Sequence, residues 1–171
     1  RDHGGGFEGS DRPVGGTLPK LFKEESLARV GLVRLFHDAN AVIRTLVSAG
    51  TSLAILTGKD RVRASEVLAR FDLDHCFERM VCGDDAVDGK PSPDGLHRLM
   101  DECGSTPSTT VYVGDAPNDR DCARHAGVAF LGVRWFGQPQ LFHTAVDDFV
   151  VSTGPDLLAA LQGSLACPKS L

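Results

Sequence analysis

Short apolar runs alternate along this chain with stretches of helical periodicity, and that alternation leaves few folds open. Residues 51–56, with the core Ser52-Leu53-Ala54-Ile55-Leu56, read as a strong strand, as do Thr110-Val111-Tyr112-Val113 and residues 128–133. Residues 79–82 form a shorter one. Helical patterns fill the intervals: residues 60–71 with Val62, Val67, Leu68 and Phe71 as an apolar stripe, residues 95–103 behind Asp94 as a cap, and a stretch after Asp119. Ahead of them lies a helix over residues 39–49, with Asp38 as N-cap, Ala41, Val42, Leu46 and Val47 on one face, and Gly50 as its stop. An edge strand over 148–152 and a helix over 155–162 close the pattern. Strands and helices in this order make right-handed βαβ units, so the expected fold is α/β with a mostly parallel sheet covered on both faces.

The length of 171 residues suits one core. Residues 1–17 hold six glycines and one proline with hardly any apolar groups. Such a segment buries too little surface to offset its ordering entropy and reads as disordered or extended. Residues 18–35 fit a helix and a turn, residues 36–162 form the core domain, and residues 163–171 read as a loose tail. A net charge of -5 and a pI near 5.6 offer no basic field, which argues against nucleic acid or an anionic membrane as partner. No apolar run approaches a membrane span and no signal-peptide core is present, so a soluble cytoplasmic protein is expected. The cysteines, Cys76, Cys82, Cys103, Cys122 and Cys167, lack a C-x-x-C pair and read mostly as buried free thiols.

Chemistry concentrates where strands end. In an open α/β sheet, ligands bind beyond the carboxyl ends of the strands. The Thr110 strand runs into Gly114-Asp115-Ala116-Pro117-Asn118-Asp119, and its two carboxylates lie about one helical turn apart. They can hold a hard cation such as Mg2+; equally, Asp115 can cap the next helix and Asp119 can be a first-turn acid favoured by the helix dipole. Thr57-Gly58 ends the earlier strand with a hydroxyl and an unshielded backbone suited to phosphate, or forms a plain turn. Lys90, between Gly89 and Pro91, is a point charge for a phosphoryl oxygen, or a solvated loop lysine.

Thr57-Gly58-Lys59, Gly89-Lys90-Pro91-Ser92-Pro93 and Val113-Gly114-Asp115-Ala116-Pro117-Asn118-Asp119, spaced one βα unit apart, resemble motifs II, III and IV of the haloacid dehalogenase-like (HAD) hydrolases. The likeness is greatest to the phosphoglycolate-phosphatase-like branch and covers residues 32–161. It implies a three-layer Rossmann-like HAD core with the helical cap largely missing, residues 18–35 being a cap remnant. It implies an Mg2+-dependent phosphatase acting on a small phosphorylated metabolite through an aspartyl-phosphate intermediate. Thr57 and Gly58 are then expected to bind phosphate, Lys90 to steady phosphate and nucleophile as a catalytic residue, and Asp115 and Asp119 to hold the metal. Asn118, and Asp84 or Asp85 ahead of Lys90, are further candidates for hydrogen bonding there. Oligomeric state is left open, a homo-oligomer included.

The family's first motif, Asp-x-Asp-Gly-Thr, does not occur in these residues. The nearest string, Pro13-Val14-Gly15-Gly16-Thr17-Leu18, has Pro13 and Gly15 in place of the two aspartates. In the family that motif ends a central strand between the Thr57 and Asp115 strands. The expectation is the C-terminal part of a longer phosphatase, inactive alone. The alternatives are a catalytically silent phosphate-binding or interaction module, and a chain that borrows a strand.

Overall fold

The computed structural model describes residues 30–36, 38–85, 88–134 and 150–166. The chain divides into Arg1–Val33, of which Val30–Leu32 forms a short 3-10 turn, and Arg34–Leu171, which holds every element below. Residues 1–29, residues 135–149 with Trp135, Phe136 and His143, and residues 167–171 lie outside the described residues.

The elements run α1 (Ala39–Ser48), β1 (Ala54–Leu56), α2 (Arg61–Arg70), β2 (Arg79–Val81), α3 (Asp94–Cys103), β3 (Val111–Gly114), α4 (Pro117–His125), β4 (Ala129–Val133), β5 (Val150–Val151) and α5 (Gly154–Ala166). Every strand pairing among the described residues is parallel. Period-two alternation in β3 and β4 makes the layers. Val111, Val113, Leu131 and Val133 face one way and pack with Val42, Val151, Leu157 and Leu161 of α1, β5 and α5. Tyr112 and Phe130 face the other way and join Leu96, Met100, Cys122 and Ala123 of α3 and α4. Helices therefore cover both faces, giving the three-layer α/β core.

The sheet is in two pieces, β1-β2 and β3-β4-β5. β1 uses its edge toward β2, with Thr57 N–H donating to Val81 O and Glu78 N–H to Leu53 O. Among the described residues no strand pairs with its other edge, nor with the outer edge of β3. Burial follows the seam. Ala54 is exposed and β3 is half-buried throughout, whereas Leu131, Gly132 and Val133 of β4 are buried.

Several local expectations are corrected. Asp38 precedes α1 but makes no capping bond to it; its Oδ2 instead accepts from Gly154 N–H at 3.0 Å, at the start of α5. The buried face of α1 is Ala39 and Val42 with Leu46 half-buried, while Val47 is 40% exposed. In α2 the buried residue is Ala64, and Val62 lies 59% exposed. α3 begins at Asp94 itself, whose N–H donates to Ser92 Oγ. α5 continues through Ala166, past the end of the periodic pattern. Cys76, Cys82 and Cys122 are buried free thiols as expected. No helix among the described residues is long and apolar enough to cross a membrane.

Because one carboxylate serves an orphan N–H of the last helix from the foot of the first, Asp38→Ala is expected to cost about 1 kcal/mol. A lower urea midpoint with unchanged slope confirms it; an unchanged midpoint refutes it.

Candidate active site

The site gathers at the carboxyl ends of β1 and β3. Beyond β1 the chain turns sharply. Thr57 Oγ1 accepts from Lys59 N–H at 3.2 Å, which leaves the hydroxyl's own proton to donate elsewhere. A Cβ on Gly58 would meet nothing within 4 Å, so its backbone lies open. Gly83 closes over this turn, its N–H donating to Lys59 O at 2.9 Å. A Cβ at Gly83 would come within 2.5 Å of Gly58 O, so only glycine fits there. Thr57, Gly58, Gly83, Asp88, Gly89 and Lys90 line one recess.

Lys90 leaves that recess toward β3. Its Nζ lies 2.5 Å from Asp119 Oδ1 and 3.3 Å from Tyr112 Oη, and Tyr112 Oη donates to the same Oδ1 at 3.1 Å. Asp119 is only 5% exposed. Its second oxygen, Oδ2, accepts from Asp115 N–H at 3.3 Å and Ala116 N–H at 3.2 Å, folding the side chain back over the strand end. Gly114 makes the room, since a Cβ there would sit 2.7 Å from that oxygen. Burial pushes the Tyr112 phenol well above its ordinary range, with the neighbouring Asp119 carboxylate adding to the shift.

Of the residues expected in the site, the structure thus brings Thr57, Gly58 and Lys90 to one recess and ties Lys90 to Asp119. Asp115 is exposed at the end of β3, and Asn118 is exposed one turn further on. Asp119 has both oxygens committed to protein donors, so of the carboxylate pair it is Asp115 that faces solvent. Asp84 and Asp85 have other work. Asp84 Oδ1 accepts from Arg61 N–H at 3.0 Å, capping α2 beside Asp60, and Asp85 pairs with the Arg61 guanidinium while accepting from Cys82 N–H. Both pin the 83–85 loop to α2.

Two contacts were not foreseen. Cys122 Sγ donates to Ser92 O at 3.2 Å, and His125 Nδ1 lies 3.0 Å from Pro91 O. With Asp119 they attach the Lys90 loop to α4 at three successive places. The signal was present in the 119, 122 and 125 spacing, which is one helical face, but nothing in the sequence says what that face meets.

A family model for haloacid dehalogenase-like hydrolases matches residues 12–133. The chain belongs to that family. The matched span takes in the Pro13 to Leu18 string. A phosphoglycolate phosphatase of Haemophilus influenzae is 34% identical over 65% of this chain and 49% of its own length. The pyrophosphatase PpaX of Halalkalibacterium halodurans is 33% identical over 74% of this chain and 60% of its own. Among solved structures, CbbY from Rhodobacter sphaeroides superposes with a TM-score of 0.75 at 22% identity, covering 85% of this chain and 67% of that one, which bears on the fold alone. The chain spans roughly half to three-fifths of the length of these two relatives.

The acid limb of stability should carry a mark of Asp85. The Cys82 N–H, and next the Arg61 guanidinium, hold its carboxyl below the ordinary carboxylate range. A depressed folded value contributes stability that is present above the unfolded pKa, near 4, and is lost as pH falls through the folded one. In Asp85→Asn, melting temperature is expected to fall less steeply from about pH 5 to about pH 2 than in the parent. Parallel curves would show that the pairing contributes nothing.

Proposed function

We propose that this chain carries the phosphate-binding and metal-binding part of a HAD-type phosphatase site for a small phosphorylated metabolite. The observation behind it is the recess itself, which Thr57, Gly58 and Lys90 line together. A phosphoryl group needs donors from several directions and a positive charge to offset its own, and these residues offer both. The similarity to phosphoglycolate and pyrophosphate phosphatases supports the same chemistry.

Mg2+ fits the donor set at the end of β3 through one carboxylate. Asp115 is exposed with no side-chain partner among the described residues, and hard oxygen donors of this kind suit the ion. Asp119 contributes indirectly, because its Oδ2 holds the Asp115 and Ala116 amides and so sets where the Asp115 side chain starts. Mg2+ there would neutralise charge on a phosphoryl oxygen. The chain's own residues bind and orient the phosphate: Thr57 donates a hydroxyl proton and Lys90 donates an N–H.

No Asp-x-Asp-Gly-Thr string is present to supply a nucleophilic carboxylate, so the isolated chain binds without turning over. Purified chain with Mg2+ and p-nitrophenyl phosphate is expected to release no nitrophenol above a Lys90→Met control. Turnover that depends on Mg2+ and on Lys90 would show that another residue serves as nucleophile.

The metal assignment has its own test. Asp115→Asn is expected to weaken Mg2+ binding by about tenfold or more in calorimetry with the melting temperature little changed. Equal affinity in parent and variant would remove Asp115 from the site. The second reading, a silent phosphate-binding module, rests on the same recess and differs in having no activity even when a nucleophile-bearing segment is supplied.

A further inference from the structure

Tyr112 is the chain's single tyrosine, and no motif in the sequence drew attention to it. It lies in β3, in register with Phe130 of β4, and the two rings meet edge to face with centroids 6.3 Å apart. Strand and ring packing therefore fix where the phenol ends. Its hydroxyl stands between Lys90 Nζ, at 3.3 Å, and Asp119 Oδ1, at 3.1 Å, and those two atoms are themselves 2.5 Å apart, so the three close a triangle.

A lysine ammonium has three equivalent donors on a flexible stem. A single contact to Asp119 would leave it free to turn about that contact. Tyr112 accepts a second N–H from a direction set by the sheet, which removes that rotation. The hydroxyl spends its own proton on Asp119, so its oxygen is left to accept from Lys90. No third protein acceptor engages Lys90 among the described residues, and Lys90 lines the recess with Thr57 and Gly58.

We propose that Tyr112 is a positioning residue for Lys90: by holding one N–H of the ammonium while Asp119 holds another, it turns the third toward the anion in the recess. Tyr112 does not itself touch the ligand. The proposal rests on the phosphate-binding reading above and adds to it the group that aims the charge. A phenylalanine here would keep the ring packing and lose the hydroxyl's bonds to Lys90 and Asp119.

The test is a double-mutant cycle read by calorimetry with inorganic phosphate. Tyr112→Phe is expected to weaken phosphate binding about three- to tenfold in the parent and to change nothing in a Lys90→Met background. An equal loss in both backgrounds, or no loss in the parent, overturns the proposal. Should Lys90→Met fail to fold because the buried Asp119 is left without a counter-charge, Lys90→Met/Asp119→Asn takes its place in the cycle. A second readout does not need a ligand. With Cζ-labelled tyrosine the chain gives one phenol carbon signal, and that signal is expected to move in the Lys90 variant. A static signal overturns the triangle itself. A moving signal in a chain that binds no phosphate supports the Tyr112 to Lys90 coupling and overturns the phosphate reading instead.

Discussion

The Asp119 carboxylate, buried to 5% exposure, is the constraint around which the site is arranged. Taking such a group from water costs several kcal/mol even after relaxation, and only charge pairing with full hydrogen bonding offsets it. Here four donors do so: the Lys90 ammonium, the Tyr112 hydroxyl and the amides of Asp115 and Ala116. Meeting that demand draws together two segments distant in sequence. The 89–93 loop must come across to β3, the turn after β3 must wrap Asp119, and Gly114 must be bare to let it pass. The lysine that reaches the recess is thus held there by the need of a buried anion.

That arrangement explains what the sequence disclosed and what it withheld. Periodicity located the strands and helices of the core, because Val111, Val113, Leu131 and Val133 alternate with Tyr112 and Phe130 on a sheet covered on both sides. Punctuation by Thr57-Gly58, Lys90 and Asp115 located the strand ends where ligands gather. What local pattern does not encode is which of several eligible donors a carboxylate will choose. Asp38 has the composition and position of a cap for α1 and serves α5 instead. Asp84 and Asp85 have the look of site acids and are engaged by α2 through Arg61. Asp119 reads equally as ligand or first-turn acid, and its partner Lys90 is 29 residues away.

The same limit applies to apolar residues at helix surfaces. Val47 and Val62 satisfy a helical spacing yet stay exposed, while the small Ala39 and Ala64 are buried. Close approach of a helix to its neighbour favours a short side chain at the point of contact, and hydrophobicity alone does not reveal that point.

The bond from Asp38 to Gly154 joins residues 116 positions apart, and the cluster it borders runs from Val42 to Leu161. One of the two layers therefore lacks its outer wall until α5 has been made. A chain emerging from the ribosome in order can assemble the α3 and α4 side, whose members fall between Leu56 and Phe130, while α1 still waits with Val42 and Leu46 uncovered. High sequence separation of this kind slows the last step of folding and lengthens the time an apolar helix face spends in water. α5 is then the piece that closes this layer, and loss of Leu157 and Leu161 removes the surface on which α1 settles.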